Sequence, residues 1–268
     1  MSERAVEKAE IQENQYTFPY HYIPDVNNKT IITNRIIRKP MIYMSYIGFV
    51  RDEVINCGTK SILDVGCGDG RMLYELENKD PDRTYFGIDI SERALQFARG
   101  FTQHSKFEVF DIINAPYPTQ FDACTYIETI EHIEPEKIKP MIANMAASLK
   151  PGGVMYLTTP TTNLPTANKH FQHFTKESIE KYIGEHFTLA EVRYFNVENG
   201  LAKFLNGLLL NRIFILNFGP FRRTIFGMYM KHCFIGTAKT GSRIYVKAIK
   251  KWGTEDNYRN YFYDIALL

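Results

Sequence analysis

Cysteine is scarce in this chain. The four present (Cys57, Cys67, Cys124 and Cys233) are scattered over 268 residues with no C-x-x-C pair. That spacing excludes a zinc knuckle and a dense disulfide framework, and makes a reducing, cytoplasmic setting the expectation. An excess of one charge is also missing. The formal net charge is +2, so the chain as a whole does not have the strongly basic balance of a nucleic-acid binder. There is no long hydrophobic run. The most apolar stretch, Phe204 to Phe218, is broken by Asn206, Asn211 and Arg212 and ends at Gly219-Pro220, which is too short and too polar to span a bilayer. Met1 to Gln15 is polar and charged, without the apolar core of a secretory leader. Internal repeats and low-complexity tracts are absent as well. What remains is 44% hydrophobic residues, enough for one globular domain with a substantial core.

The charge is unevenly spread. From Leu201 onward there are 11 Lys/Arg against 3 Asp/Glu, leaving 21 against 27 in the first 200 residues. Met1–Gln15 reads as a charged helix or a loose end, and the Pro-punctuated aromatic run Tyr16–Asp25 as an ordered loop. Met41–Asn56 has helical periodicity. A regular alternation then begins. Strands are expected at Ser61–Val65, Tyr85–Ile88, Phe107–Phe110, Asp122–Ile127, Val154–Thr159, Thr188–Phe195 and Arg243–Ile249. Helices are expected at Arg71–Asn78, Glu92–Phe101, Glu136–Leu149 (stopped by Pro151-Gly152-Gly153) and Lys176–Glu185. Strands separated by helices predict βαβ crossovers, hence an α/β, Rossmann-like, mostly parallel sheet with helices on both faces. In such sheets ligands bind beyond the carboxyl ends of the strands. The expected organisation is an N-terminal helical and aromatic cap over 1–56, a core over 57–200, a basic apolar insertion over 201–240, and a last strand with a tail over 241–268.

The expected strand at 61–65 runs into Gly66-Cys67-Gly68-Asp69-Gly70. Glycine permits a tight turn and leaves room for a ligand against the backbone. An ordinary strand-to-helix turn would have the same composition. A dinucleotide fingerprint requires G-x-G-x-x-G, and here the third glycine falls one position early, with Arg71 in its place. The next strand ends in Asp89, about 20 residues on, where an acid takes ribose hydroxyls in folds of this kind. Asp111 closes the strand after that. Three consecutive strand ends thus carry a Gly-rich turn, an acid and an acid.

With these residues the sequence resembles the class I S-adenosylmethionine-dependent methyltransferases. ILDVGCGDG looks like their first motif, GIDIS their second and FEVFDI their third. FDACTYIETIEHI and LKPGGVMYLTTP are similar to the later motifs, in the same order. The resemblance covers roughly Ser61 to Phe195. It implies that Asp64, Gly66, Gly68 and Gly70 line the methionine end of the cofactor. It also implies that Asp89 takes the ribose, that Ile90 packs on the adenine, and that Asp111, with Ile112 beside it, borders the adenine amine. The family sheet ends in an antiparallel strand, which Arg243–Ile249 would supply.

Methyl transfer is an in-line displacement at an already activated sulfonium methyl, so the enzyme chiefly aligns an acceptor. A hydroxyl acceptor further needs a base or a metal. The loop after the fourth strand carries Glu128, Glu131 and His132 as E-x-x-E-H. On a helix all three heads would share a face. Two carboxylates and an imidazole suit Mg²⁺, Mn²⁺ or Zn²⁺ with open positions, and His170 or His173, after the fifth strand, would add a fourth ligand. The same residues also fit a metal-free base, His132 or His170, or a purely structural role. The cluster resembles that of the ubiquinone-pathway O-methyltransferases and that of the small-RNA 3′-terminal 2′-O-methyltransferases. The D/N-P-P-Y/F signature of N-methyltransferases is absent after the fourth strand. The expectation is therefore O-methylation of a small metabolite or sugar, with Glu131, His132 and His170 as the catalytic group. The alternatives are an RNA 3′ end as acceptor, or a catalytically silent S-adenosylmethionine-binding scaffold. Tyr16–Tyr22, with His21, would either fold over the acceptor or form a packed strap. The 201–240 segment, with Arg212, Arg222, Arg223, Lys231 and Lys239, reads as a peripheral membrane contact, as a basic lid over a phosphorylated or nucleic-acid acceptor, or as an ordinary lid or dimer face in a monomer or homodimer.

Overall fold

A computed structural model describes residues 3–14, 25–27, 30–32, 40–209 and 218–252. The aromatic run Tyr16–Pro24, part of the 201–240 segment and most of the C-terminal tail lie outside the described residues. The elements in chain order are α1 (Glu3–Glu13), β1 (Asp25–Asn27), β2 (Thr30–Ile32), α2 (Pro40–Asn56), β3 (Ser61–Val65), α3 (Arg71–Lys79), β4 (Thr84–Asp89), α4 (Glu92–Phe101), β5 (Lys106–Val109), β6 (Phe121–Ile127), α5 (Pro135–Ala147), β7 (Leu149–Pro160), α6 (Lys176–Ile183), β8 (Phe187–Val197), α7 (Gly200–Leu209), α8 (Gly219–Tyr229), β9 (Ile235–Gly236) and β10 (Gly241–Lys250).

Eight strands form one sheet in the order β5-β4-β3-β6-β7-β10-β8-β9. β5 through β7 pair in parallel, whereas β10 is antiparallel to both β7 and β8. The last strand in sequence is thus inserted between two others, and the edge belongs to the two-residue β9. Strand order reverses at β3, with β4 and β5 on one side and β6 and β7 on the other. A crevice opens at such a switch point, outside the carboxyl ends of β3 and β6.

Both faces of the sheet are covered, so successive strand residues are buried in opposite layers. Leu63, Val65, Tyr126 and Leu157 pack with α5 and α6 on one side, while Ile62, Tyr85, Ala123 and Tyr156 pack with α2, α3, α7 and α8 on the other. The helices begin where capping chemistry allows. Ser91 Oγ accepts from Ala94 N at 3.2 Å to start α4, and Thr175 and Ser178 form a reciprocal capping box at α6.

Two local expectations are revised. The expected stop at Pro151-Gly152-Gly153 is not a loop between helix and strand. Helix α5 ends at Ala147, Leu149 already pairs with Phe121, and the strand continues through a bulge where Gly152 adopts φ 72°. Gly219-Pro220 starts a helix instead of closing an apolar run, because proline at the first helical turn loses no hydrogen bond.

Asp122 ties together the amino ends of β3, β6 and β7. Its Oδ2 accepts from Lys60 N, Ser61 N and Ser61 Oγ at 2.9, 2.9 and 3.0 Å, and its Oδ1 from Lys150 Nζ at 2.6 Å. Burial alone would raise its pKa, but the bonds from Lys150, Ser61 and Lys60 outweigh it and hold the carboxyl at about 2. A depressed carboxyl stabilises the fold above its unfolded pKa of about 4, and that contribution is lost as pH falls towards 2. Asp122→Ala is expected to lower unfolding stability by about 1–3 kcal/mol at neutral pH. In urea titrations the gap to the native chain should close below about pH 4, and a pH-independent gap would refute the assignment.

Candidate active site

The glycine loop is built by one shared acceptor. Gly66 N and Cys67 N both donate to Ile88 O, at 2.8 and 3.1 Å, which turns the chain sharply off β3 beside β4. Gly66 has φ 69°, and a Cβ there would lie 2.5 Å from Thr129 Cγ2. Gly68 N donates to Asp89 Oδ2 and Ser91 N to Asp89 Oδ1, each at 2.9 Å. The Asp89 carboxylate is thus oriented by the loop itself. Burial raises its pKa, against the N–H bonds of Ser91, Gly68 and Ile90. The next side chain, Ile90, is 70% exposed, a large apolar surface at the rim of the crevice. Asp111 is exposed and accepts within its own turn, from Ile113 N at 3.0 Å and Asn114 Nδ2 at 2.7 Å. Ile112 faces inward as part of the core, its carbonyl accepting from Asn144 Nδ2 at 2.8 Å.

Asp64 is the buried acid of the loop. Oδ1 accepts from Thr125 Oγ1 at 2.6 Å, while Oδ2 is buried without a partner among the described residues. It borders a cavity of about 60 Å³ whose walls include Tyr43, Ile47, Gly66, Arg71 and Glu128. Burial, only partly offset by the Thr125 bond and reinforced by the Asp89 charge, pushes its pKa up to about 7. An orphaned carboxyl oxygen, an oriented acid and an exposed isoleucine have the chemistry to take an ammonium, a ribose and an adenine, the groups S-adenosylmethionine would bring.

Across the crevice, β6 ends at Ile127 and Glu128 takes φ 51°, so the E-x-x-E-H segment is not one helical face. Glu128 Oε2 accepts from Arg243 Nε at 2.6 Å and Oε1 from Thr158 Oγ1 at 3.2 Å. A 3-10 turn, Ile130–His132, carries Glu131 inward, where Oε2 accepts from Thr159 Oγ1 at 3.0 Å. Among the described residues, ligating atoms of Glu131, His132 and His170 lie within 4.8 Å of one another. Glu128 is not brought into this group, and His173 touches it through His170, Nε2 to Nδ1 at 2.8 Å. Burial and then the Glu128 charge raise the Glu131 pKa. Burial, and then the Lys169 charge, lowers His132 to about 4. Burial, His132 and Lys169 lower His170 further. Around neutrality the cluster is an uncharged carboxyl among neutral imidazoles.

Sequence reasoning missed three supports of this site. Thr159 reaches Glu131 because alternate residues of β7 face α5. Arg243 reaches Glu128 because β10 sets it opposite Pro160. Lys8 of α1 donates to the carbonyls of Asn168 and His170, the latter at 2.8 Å, and stands over the Phe171 ring. Strand parity hints at the first. Nothing in the local sequence marks the other two.

The raised Asp64 pKa fixes the sign of a pH dependence. A ligand ammonium beside Oδ2 favours the carboxylate, so binding sheds the proton that Asp64 holds below about pH 7. S-adenosylhomocysteine affinity should rise by up to about tenfold per pH unit between about pH 5 and 7 and then level off. Calorimetry on Asp64→Asn should give a flat profile over the same range. An identical slope in both proteins would remove Asp64 from the cofactor site.

A methyltransferase-domain family matches residues 62–153. A ubiquinone biosynthesis O-methyltransferase of Azoarcus sp. (strain BH72) is 35% identical over 117 residues, 40% of this chain and 48% of that protein. A tRNA N(3)-methylcytidine methyltransferase of Schizosaccharomyces pombe is 29% identical over 111 residues, 37% of this chain and 36% of that protein. The chain thus spans about half the length, or less, of these curated relatives. The N-methyltransferase NodS from Bradyrhizobium japonicum, solved with S-adenosyl-L-homocysteine, superposes with a TM-score of 0.59 over 92% of this chain and 99% of that one at 14% identity, a likeness of fold. The matched segment holds the glycine loop, both strand-end acids and the 3-10 turn. Residues 62–153 match a methyltransferase domain, and the fold around them is like that of methyltransferases of known structure.

Proposed function

We propose that the chain transfers the methyl group of S-adenosylmethionine to an oxygen of a small metabolite or a sugar. Glu131, His132 and His170 would activate the acceptor. The observation that carries this reading is their convergence within 4.8 Å, joined to the cofactor loop through the Gly66–Thr129 contact. The O-methyltransferase relatives support an oxygen acceptor. An attacking hydroxyl must lose a proton, and an imidazole whose pKa is held at about 4 is a weak partner for that transfer. A divalent cation overcomes the mismatch. One carboxylate oxygen and two imidazole nitrogens fit a first-row ion with coordination positions left for the acceptor. Bound there, it would supply Lewis acidity to the hydroxyl. Glu131 would release its proton to hold it, His132 and His170 would donate nitrogen lone pairs, and Arg243 would keep Glu128 from competing.

The test is S-adenosylhomocysteine formation on a panel of catechols, hydroxylated quinols and sugars. Chelation should abolish turnover, and Mg²⁺, Mn²⁺ or Zn²⁺ should restore it. Glu131→Gln and His132→Gln should each lower kcat by about 10²-fold or more, with S-adenosylhomocysteine affinity nearly intact. Full activity in a metal-stripped enzyme would end the metal reading. Cofactor binding without turnover on any acceptor would favour the scaffold.

The second part of the proposal is that the 201–240 segment meets an anionic lipid surface. This stretch has six Lys/Arg and no Asp/Glu. Phe204 on α7 and Phe221 and Met228 on α8 are exposed beside Arg222 and Arg223, a combination suited to the headgroup boundary. Among the described residues no helix is long and apolar enough to cross a membrane. Co-sedimentation with vesicles should rise with phosphatidylglycerol content and fall with salt. Replacing Arg222 and Arg223 with Ala should weaken it about tenfold to thirtyfold, at about 1 kcal/mol per cation. No binding at low salt would leave the lid or dimer reading.

A further inference from the structure

His132, His170 and His173 form a chain of ring contacts, with centroids 4.8 Å apart for the first pair and 5.1 Å for the second. Their hydrogen bonds permit one order of protons. Leu164 O lies 3.0 Å from His173 Nδ1. A carbonyl oxygen only accepts, so that nitrogen carries hydrogen. In the neutral ring His173 Nε2 is then a lone pair, and it lies 2.8 Å from His170 Nδ1. Two nitrogens share a hydrogen bond only if one donates, so His170 Nδ1 carries hydrogen as well. Its Nε2 is left as a lone pair. His132 reaches the same state separately, with Nδ1 3.2 Å from Lys169 O.

The starting carbonyl is itself anchored. Leu164 N donates to Thr161 O at 3.1 Å, and the neighbouring Asn163 Nδ2 donates to Gly241 O at 2.8 Å. The register of β7 against β10 thus sets the turn, the turn orients His173, and His173 orients His170. A neutral histidine in water carries its hydrogen mainly on Nε2, so a fold that leaves Nε2 of both His132 and His170 as lone pairs has imposed the less common tautomer twice.

We propose that His173 is a positioning residue: by accepting the Nδ1 hydrogen of His170 it holds His170 Nε2 as a lone-pair nitrogen, matching that of His132. Each of the two rings then offers Nε2 as its electron-pair donor to a Lewis acid or an acidic hydroxyl. The catalytic meaning rests on the proposed acceptor site, whereas the proton order is a property of the folded chain.

The test uses the full chain labelled with ¹⁵N-histidine, which has seven histidines. Long-range ¹⁵N–¹H correlation spectra at neutral pH distinguish the two neutral tautomers of each ring. His132, His170 and His173 should all carry hydrogen on Nδ1. His173→Phe keeps a ring but removes the acceptor, so His170 should move to the Nε2–H form while His132 stays unchanged. His173→Gln, whose amide oxygen can accept, should return His170 to Nδ1–H. Unchanged S-adenosylhomocysteine affinity would confirm that each variant is folded. An Nε2–H tautomer for His170 in the native chain would overturn the proposal whatever the variants do. So would an Nδ1–H tautomer that survives in folded His173→Phe. A chain that never transfers a methyl group but gives this proton order would sink the proposed function and leave the positioning role standing.

Discussion

Between Gly66 and Thr129 there is room for a hydrogen atom and not for a methyl group, since a Cβ on Gly66 would lie 2.5 Å from Thr129 Cγ2. This contact joins the loop after β3 to the loop after β6 across the point where strand order reverses. One loop carries Gly66, Gly68 and Gly70, and the other leads directly into Glu131 and His132. In-line transfer leaves little tolerance in the separation of donor and acceptor. A fold that presses the two loops together at their roots sets that separation before either ligand arrives.

The second constraint is burial of acids on both sides of the contact. Asp64 and Glu131 are both buried, and burial raises the pKa of each. Each holds its proton more tightly than an exposed acid would, and a positive ligand beside either would draw that proton off. The Arg243–Glu128 pair ties a third carboxylate to a guanidinium. Low dielectric strengthens every electrostatic interaction made in such a crevice.

The parallel core was legible in the sequence because each element is short, amphipathic in the right period and closed by its own punctuation: Ser91 before α4, Thr175 before α6, and glycines after β3. Asp89 and Asp111 were legible at or just beyond strand ends, which chain order alone places on one edge of the sheet. The acceptor side was only half legible. Nearness in sequence grouped Glu128 with Glu131 and His132, but the positive φ of Glu128 turns it towards Arg243, whose approach depends on a strand more than 100 residues away. The π-helical turn Met230–Phe234 and helices α7 and α8 were illegible for another reason. Their apolar and basic residues read equally as a lid, an interfacial helix or a dimer face, and they are held by tertiary packing of Ile225, Tyr229 and Phe234.

The insertion of β10 between β7 and β8 orders the assembly of the molecule. The glycine loop, Asp89 and Asp111 are all made within the first 111 residues, and β3, β4 and β5 pair locally. Glu128 finds its guanidinium, and the turn holding Leu164 finds Gly241 O, only when the final strand slides into a gap flanked on both sides. Until then β7 and β8 lack the partner strand that lies between them in the folded sheet. The strand that joins them also carries Arg243 to Glu128, so closing the sheet and forming that ion pair are one event.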